Sequence, residues 1–311
     1  MKTRFGDINI VGNVENKGSV IGPQEFALTV TVGTNGDFPT INSALTELSR
    51  KYPVYKLGGF NVEVKLLSGY VMNEYVYVNG VDMSWITITG EDAETTIVRS
   101  VIPQHLGAFR GDNGAFLPRI GQLFNMDSSG VGTSRHGVRS SNNSRVMILW
   151  NSGVKNAGGY GLYVHNVSFA EANNTIFTGA NQTGILAQHG SSVSATSVNV
   201  SHSGSGGVIA DRASMISADN VIATGCGYGI YANSGSIINA QSATATGAGI
   251  HGIYASNSSM IMASNSNARI GVSDSTNDIR VITCSCITIT GGTGGVSQTA
   301  NTYTQNGCIR K

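Results

Sequence analysis

Short alternations of apolar and polar residues recur along the second half of the chain, and each begins at a glycine. The sequence reads HGVRS, YGLYV, TGILA, GGVIA, YGIYA and HGIYA around Gly137, Gly161, Gly184, Gly207, Gly229 and Gly252. Successive glycines are separated by 24, 23, 23, 22 and 23 residues. Alternation with a period of two is typical of a β-strand with one buried face, so each phrase predicts one strand of a repeating unit.

The residues after each glycine divide into a predicted inner set and a predicted outer set. Positions one and three after the glycine are apolar or small, as in Ile230 and Ala232, and we expect them to face a core. The residue between them is expected to face outward; this position holds Arg139, Tyr163, Leu186, Ile209, Tyr231 and Tyr254. Two residues further along, a polar outward position holds His165, Gln188, Asp211 and Asn233.

Each repeat also predicts a turn and a second strand. A serine stands seven residues after every glycine, at positions 144, 168, 191, 214, 236 and 259. A second apolar alternation follows, and a polar position thirteen residues after the glycine suits a ladder of side-chain hydrogen bonds; it holds Asn174, Ser197, Asn220, Ser242 and Asn265. Two or three short strands in about 23 residues predict a right-handed parallel β-helix, in which each coil pairs with the coils above and below it.

The chain before the repeats predicts a cap and less regular coils. In GDFPTINSALTELSRKY, apolar residues fall on one helical face, which predicts an amphipathic capping helix over about 39–51. The region from about 100 to 130 breaks the pattern and is expected to leave the wall of the β-helix. We therefore expect an attachment segment at 1–25, the β-helix at 26–270 with regular coils at 137–270, and a separate C-terminal β module for trimerisation or the tip at 271–311.

Composition excludes several function classes. The 311-residue chain has 12% charged residues and a net charge of +1, and Arg212 is the only cationic side chain between residues 161 and 263. No basic stripe is available to neutralise phosphates, so nucleic acid is not expected as a partner. No apolar run resembles a signal peptide or has the length of a bilayer span, so we expect synthesis in the cytoplasm and no membrane insertion.

Cysteine and histidine spacing predicts neither a metal site nor a cofactor. The four cysteines, Cys226, Cys284, Cys286 and Cys308, lack CxxC spacing, and the six histidines lack an HExxH motif. Reduced thiols are the default expectation, and whether these cysteines form disulfides between chains stays open.

Three segments resemble a known family. TVGTNGDFPTINSAL and GGFNVEVKLLSGYVMNEYVYVNGVDMSWITITG are similar to the opening of the β-helix in tailspike and tail-fibre proteins of tailed bacteriophages, and TANTYTQNGCIRK is similar to their closing strand. The resemblance implies a homotrimer in the virion tail, assembled after synthesis in the bacterial host cytoplasm. It also implies an N-terminal segment docked to the tail or baseplate and a distal surface that contacts host polysaccharide.

The predicted outward column is unusually apolar for a soluble protein. Tyr163, Tyr231 and Tyr254 on such a surface indicate a partner, because large apolar patches are rarely left exposed. A tyrosine has an apolar face and a polar tip, which suits a second copy of the chain, the favoured reading, or a sugar ring. His165, Gln188 and Asp211 lie beside the tyrosines and belong to the same predicted binding or trimer surface.

Catalysis is an alternative to binding. Cleavage of a glycosidic bond by hydrolysis generally requires two carboxyl groups about 5 to 10 Å apart. The acids between residues 161 and 263 are Glu171, Asp211 and Asp219; the first and third are expected about 12 Å apart on one column, and Asp211 lies on another strand. We therefore favour binding without chemistry. These acids are the candidates if the protein is a polysaccharide depolymerase, either a glycosidase or a lyase, and a purely structural baseplate component is the third reading.

Overall fold

The computed structural model describes residues 28–50, 62–92, 106–127, 135–270 and 279–288, and the backbone of five short strands outside these ranges. Two of those strands, β1 (Arg4–Phe5) and β2 (Ile8–Asn9), form an antiparallel pair. The rest of the predicted attachment segment at 1–25 lies outside the described residues.

The predicted capping helix is α1 (Ile41–Ser49). Its apolar face is buried in the core and consists of Ile41, Ala44, Leu45 and Leu48. Thr40 caps its N-terminus by accepting a hydrogen bond from the Ser43 backbone N–H. The Glu74 carboxylate accepts hydrogen bonds from the Ile41 and Asn42 backbone N–H groups at 2.7 and 2.9 Å, which places a negative charge at the positive end of the helix dipole. No helix in the described part of the chain has the length and apolar character needed to cross a membrane.

The strands stack into parallel sheets that wind around one core. Sheet one has ten strands: β6 (Val76–Asn79), β9 (Gly107–Asp112), β12 (His136–Ser141), β15 (Leu162–His165), β17 (Thr183–Gln188), β19 (Gly206–Asp211), β21 (Tyr228–Ala232), β24 (His251–Ala255), β27 (Ile279–Ile282) and β29 (Thr302–Thr304). Sheet two has eight: β13 (Arg145–Met147), β16 (Phe169–Glu171), β18 (Ser192–Ser194), β20 (Met215–Ser217), β22 (Ile237–Asn239), β25 (Met260–Met262), β28 (Cys286–Thr288) and β30 (Cys308–Arg310).

Two further groups of strands complete the coils. Sheet three contains β5 (Val71–Met72), β8 (Thr96–Val98), β11 (Leu123–Met126) and β14 (Gly153–Lys155), and isolated bridges continue it to the pair β23 (Thr244–Ala248) and β26 (Asn267–Ile270). An N-terminal sheet contains β3 (Leu28–Val32), β4 (Val62–Leu66), β7 (Ile86–Gly90) and β10 (Arg119–Ile120). The order of strands along the chain makes each coil pass through several sheets in turn.

The register of sheet one confirms the predicted parallel β-helix. Each residue in one ladder pairs with the next in the following coil, in the order Val138, Leu162, Ile185, Val208, Ile230 and Ile253. The coils are therefore related by the predicted intervals. All six side chains are buried, and so are the residues two positions further along each strand. Burial of one apolar ladder per sheet supplies the main driving force for folding.

The repeated glycines mark places where neighbouring coils approach too closely for a side chain. A Cβ atom on Gly207 would lie 2.6 Å from the Cβ of Ala223 and 2.7 Å from the carbonyl oxygen of Gly229 in the next coil. The same overlap with the next coil arises at Gly184, where the distance to the Gly207 carbonyl oxygen would be 2.9 Å. The 23-residue spacing of glycine is therefore a packing requirement of the coil.

The repeated serines form the hydrogen-bonded ladder of the fold. All six serines are buried, and each accepts a hydrogen bond through Oγ from the backbone N–H of the preceding coil, as Ser214 does from Ser191 at 3.2 Å. The polar residues thirteen positions after each glycine have left-handed backbone, with φ angles between 54° and 57°. Asn accepts this left-handed conformation more readily than most residues, so these positions turn the chain.

Two predictions about the edges of the β-helix are wrong. The region 106–127 does not leave the wall, because β9, β10 and β11 stack on neighbouring coils. In this region large inward residues take the place of the smaller aliphatic ones of the repeats. Phe109 and Phe124 are fully buried and contact each other edge to face, with their ring centroids 4.9 Å apart. The boundary at 270 does not separate the described strands from the β-helix either, because β27 to β30 extend sheets one and two.

Candidate functional site

The outer face of sheet one carries two parallel columns of side chains. An aromatic column runs through Tyr77, Arg110, Arg139, Tyr163, Leu186, Ile209, Tyr231, Tyr254 and Arg280. A polar column two residues along includes Asp112, Ser141, His165, Gln188 and Asp211, with Asn233 in the next coil. The structure thus places the predicted residues Tyr163, Tyr231, Tyr254, His165, Gln188 and Asp211 on one face.

Aromatic rings gather at two places on this face. The first cluster comprises Tyr160, Tyr163, His136 and His165, with ring centroids about 5 Å apart. The second comprises Tyr228, Tyr231, Tyr254 and His251, in which the Tyr231 and Tyr254 rings stack at 4.7 Å. Arginine side chains lie beside both clusters, with Arg139 at 5.4 Å from the Tyr163 ring and Arg280 at 5.7 Å from the Tyr254 ring. Cation–π contact of this kind fixes the ring planes.

A hydrogen-bonded chain of polar groups joins the two clusters. The Tyr163 hydroxyl donates to Gln188 Oε1 at 3.0 Å, and Gln188 Nε2 donates to Asp211 Oδ2 at 3.1 Å. Asn233 Nδ2 donates to Asp211 Oδ1 at 2.9 Å. Ser256 Oγ donates to Asn233 Oδ1 at 2.9 Å and lies 3.1 Å from the Tyr231 hydroxyl. These bonds hold the polar side chains in fixed positions before any ligand arrives.

Between the clusters lies an open groove of about 380 Å³. Leu186 and Ile209 line it together with residues of the polar column, and Tyr160 and Tyr231 stand at its two ends. The depression has a simple origin, because Thr183 and Gly206 occupy the ladder position that Tyr228 and His251 occupy in the next two coils. Small residues in two coils between aromatic residues in the flanking coils create the space.

The first cluster contains a histidine that resists protonation. Burial, reinforced by the positive charge of Arg139 and by His189, lowers the pKa of His165 to about 4. Burial also raises the pKa of the Tyr163 hydroxyl. At neutral pH the site therefore presents a neutral imidazole and protonated phenols.

We expect the protein to lose stability between pH 6.5 and pH 4 in part through His165. The unfolded chain binds a proton at this histidine below its ordinary pKa of about 6.5 whereas the folded chain does not, so acidification favours unfolding. Between pH 7 and pH 4.5, the free energy of unfolding should fall by about 1 to 2 kcal/mol less in His165→Gln than in wild type, after allowance for solvent screening. Urea unfolding at both pH values measures this, with exposed His202→Gln as the control. Equal pH dependence in His165→Gln and wild type would contradict it.

The candidate acids are not brought together. Asp211 lies in the sheet-one groove and Glu171 lies on sheet two. Asp219 fixes a turn by accepting hydrogen bonds from Asn239 Nδ2 at 3.2 Å and the Gln241 backbone N–H at 2.9 Å. Asp112 shares the polar column with Asp211 but is four coils away, about 19 Å, and forms an ion pair with Arg110. Among the described residues that line this groove, Asp211 is the only carboxylic acid.

Four residues of the two aromatic clusters are not among the site residues predicted from the sequence. Tyr160, Tyr228, His136 and His251 each stand immediately before a glycine of the repeat. The sequence contains a signal for these four residues: the residue before the glycine is aromatic or histidine in four coils and small in the two coils between them. Within the described ranges, no three His, Cys, Asp or Glu side chains are close enough to share a metal ion. Cys226 is 1% exposed, so its thiol packs inside the core.

A second exposed feature lies on sheet two. Met215, Ile237 and Met260 are direct neighbours in three consecutive coils. Their side chains are 54%, 38% and 43% exposed. We call these three residues the sheet-two stripe.

Comparison with known proteins agrees with the geometry. Residues 124–268 match the family model described as a right-handed β-helix region. None of the curated protein sequences gives a significant match. Among solved structures, the Dettilon tailspike protein matches with a TM-score of 0.54 and 11% identity over 94% of this chain and 73% of that chain. A mutant of the periplasmic alginate epimerase AlgG matches with a TM-score of 0.44 and 13% identity over 80% of this chain and 76% of that one. The fold of this chain is a right-handed parallel β-helix, similar to that of the Dettilon tailspike protein.

Proposed function

We propose that this protein is a subunit of a phage tailspike or tail fibre, and that it binds a polysaccharide of the bacterial surface along the outer face of sheet one. The sheet-one groove carries the proposal: two aromatic clusters flank a floor of fixed polar groups. The similarity in fold to a tailspike protein supports it.

The groove has the chemistry that a saccharide requires. Sugar rings present apolar C–H faces that pack on tyrosine rings, and hydroxyl groups that need hydrogen-bond partners. Tyr160 and Tyr231, at the two ends of the groove, are three coils apart, about 14 Å along the axis, so the groove matches an oligosaccharide rather than one sugar ring. The polar groups are already held by one another, which lowers the entropy lost on binding.

Binding without cleavage is the favoured form of this function. A glycosidase would need a second carboxyl group within about 10 Å of Asp211, and no other described residue lining the groove supplies one. For a glycosidase at this groove, the second acid would come from outside the described part of the chain or from another copy. Attachment to the tail through residues 1–25 stays a prediction, as does the position in the virion.

We further propose that three copies assemble through the sheet-two stripe rather than through the tyrosines. Tyr254 is only 9% exposed, and its ring is covered by Tyr231 within the same chain. The stripe, by contrast, leaves three large apolar side chains open to solvent in consecutive coils. This placement leaves the sheet-one groove free for a ligand, so it replaces the packing of tyrosines that the sequence pattern favours.

Binding to bacterial glycans tests the function directly. Labelled protein on an array of capsular polysaccharides and lipopolysaccharides should bind a subset of them. Tyr231→Ala and Asp211→Asn should each weaken the binding roughly tenfold or more, because the first removes an aromatic ring at one end of the groove and the second removes the only carboxylate among its described lining residues. Tyr75→Ala removes an exposed tyrosine elsewhere and should have no effect. Binding that is equal in all variants, or absent throughout, would contradict the proposal.

The same bound glycans decide between binding and cleavage. Incubation with wild-type protein should release neither reducing ends nor unsaturated uronates. Release that is lost in Asp211→Asn would establish the depolymerase alternative instead.

A further inference from the structure

A second groove, of about 310 Å³, opens on the first coils of sheet two. It lies on a different sheet from the sheet-one groove, on the N-terminal side of the sheet-two stripe. Its walls contain two arginines, one glutamate and five apolar side chains.

One ladder position in this groove alternates aromatic and cationic side chains. Arg145 pairs with Phe116 in the preceding coil and with Phe169 in the following coil. The Arg145 guanidinium lies 5.2 Å from the centre of the Phe116 ring. Arg145 is exposed, and Phe169 is 38% exposed, so the charge and an aromatic face are both open to the groove.

The neighbouring ladder position separates a cation from an anion. Met147 pairs with Glu171 in the following coil. Ile120 pairs with Ile148, which places Arg119 opposite Met147 in the preceding coil. Arg119 and Glu171 are therefore two coils apart, about 10 Å, with the Met147 side chain between them.

Neither arginine of this groove forms an ion pair with another residue in the described part of the chain. The ion pairs found among the described residues involve Arg50, Lys65, Arg110 and Arg212, and neither Arg119 nor Arg145. Two uncompensated guanidinium groups beside apolar walls form a site for a planar anion, because guanidinium binds carboxylate through paired hydrogen bonds.

We infer that the sheet-two groove binds an acidic sugar of the uronic acid type. Its carboxylate pairs with Arg119 and Arg145, and its C–H face packs on Phe169 and Met147. Glu171 accepts hydrogen bonds from the sugar hydroxyls. A bare phosphate has no C–H face to pack on the apolar wall and no sugar hydroxyls to donate to Glu171, so the three features together favour a sugar that carries both a carboxylate and hydroxyls.

This inference deepens the proposed function by naming a class of polysaccharide, and it rests on that function for the presence of a saccharide. The site itself is separate from the sheet-one groove. Variants on one sheet therefore leave the other site intact, and each can fail alone.

Calorimetric titration of the full chain with a hexamer of galacturonic acid tests the inference. We expect binding by wild type that weakens at least tenfold in Arg145→Gln and in Arg119→Gln. Arg50→Gln makes the same charge change on the capping helix and should bind as wild type does. The carboxyl-reduced hexamer should not bind, and inorganic phosphate should not compete.

Several results would overturn the inference. One is absence of binding to the galacturonate hexamer, and another is equal binding in the arginine variants. Equal binding of the carboxyl-reduced hexamer would show that the carboxylate is not recognised, and efficient competition by phosphate would show an unselective anion site. Loss of hexamer binding in Tyr231→Ala with intact binding in the arginine variants would assign the acidic sugar to sheet one. Thermal unfolding of each variant separates loss of affinity from loss of fold.

Discussion

Gly207→Ala should destabilise the protein by at least about 3 kcal/mol, and we expect little folded protein at 37 °C. The added methyl group would overlap both the Ala223 Cβ and the Gly229 carbonyl oxygen, at 2.6 and 2.7 Å. Neither obstacle can rotate away, because one is attached directly to the main chain and the other belongs to it. Relief requires separation of two coils that share a ladder of backbone hydrogen bonds.

Urea unfolding followed by far-ultraviolet circular dichroism measures this effect. Gly158→Ala is the matched control, since its Cβ would find no atom closer than 3.7 Å. We expect a change of less than about 1 kcal/mol for the control. Equal stability of Gly207→Ala and Gly158→Ala would contradict the close approach of the coils.

Met215→Asp combined with Ile237→Asp should convert the proposed trimer into a folded monomer. Burial of the sheet-two stripe between chains removes large apolar side chains from water, and two carboxylates in the same place would have to be desolvated without partners. Both positions are exposed in the single chain, so the substitutions should leave the fold intact. The expected loss of affinity between chains is several kcal/mol.

Sedimentation velocity at micromolar concentration measures the assembly. Wild type should sediment as three chains and the double variant as one, with unchanged circular dichroism. Ile222→Asp combined with Ile250→Asp introduces the same charges at residues that are each 46% exposed and lie off sheet two, and it should remain a trimer. A trimeric Met215→Asp/Ile237→Asp variant, or a monomeric wild type, would contradict assembly through this stripe.

The glycine spacing and the strand alternations together predict the fold, because the spacing gives the interval at which each coil repeats its packing. From Val138 to Ile253 this interval gives the register of sheet one residue by residue. The spacing fails where the packing changes: Phe109 fills the core in place of smaller aliphatic side chains, and Ile279 lies 26 residues after its partner Ile253. The strands still pair in parallel across the longer coil, so sheet one continues where the sequence loses its regular interval.

The two grooves differ in how visible they are in the sequence. The outward tyrosines and Asp211 of sheet one can be predicted from strand alternation. Tyr160 and Tyr228 lie outside that alternation, in the position directly before a repeat glycine. The sheet-two groove could not be predicted, because Phe116 and Arg145 are neighbours in space but 29 residues apart in the chain. No constant interval connects them, and only the structure shows that Arg119, Arg145 and Glu171 line one groove.

The most direct test of the proposed binding surface is a crystal structure of the protein with an oligosaccharide derived from a glycan selected on the array. We expect sugar rings in the sheet-one groove between Tyr160 and Tyr231, with hydroxyl groups hydrogen-bonded to Gln188, Asp211 or Asn233. An oligosaccharide bound elsewhere, with the sheet-one groove empty, would contradict it.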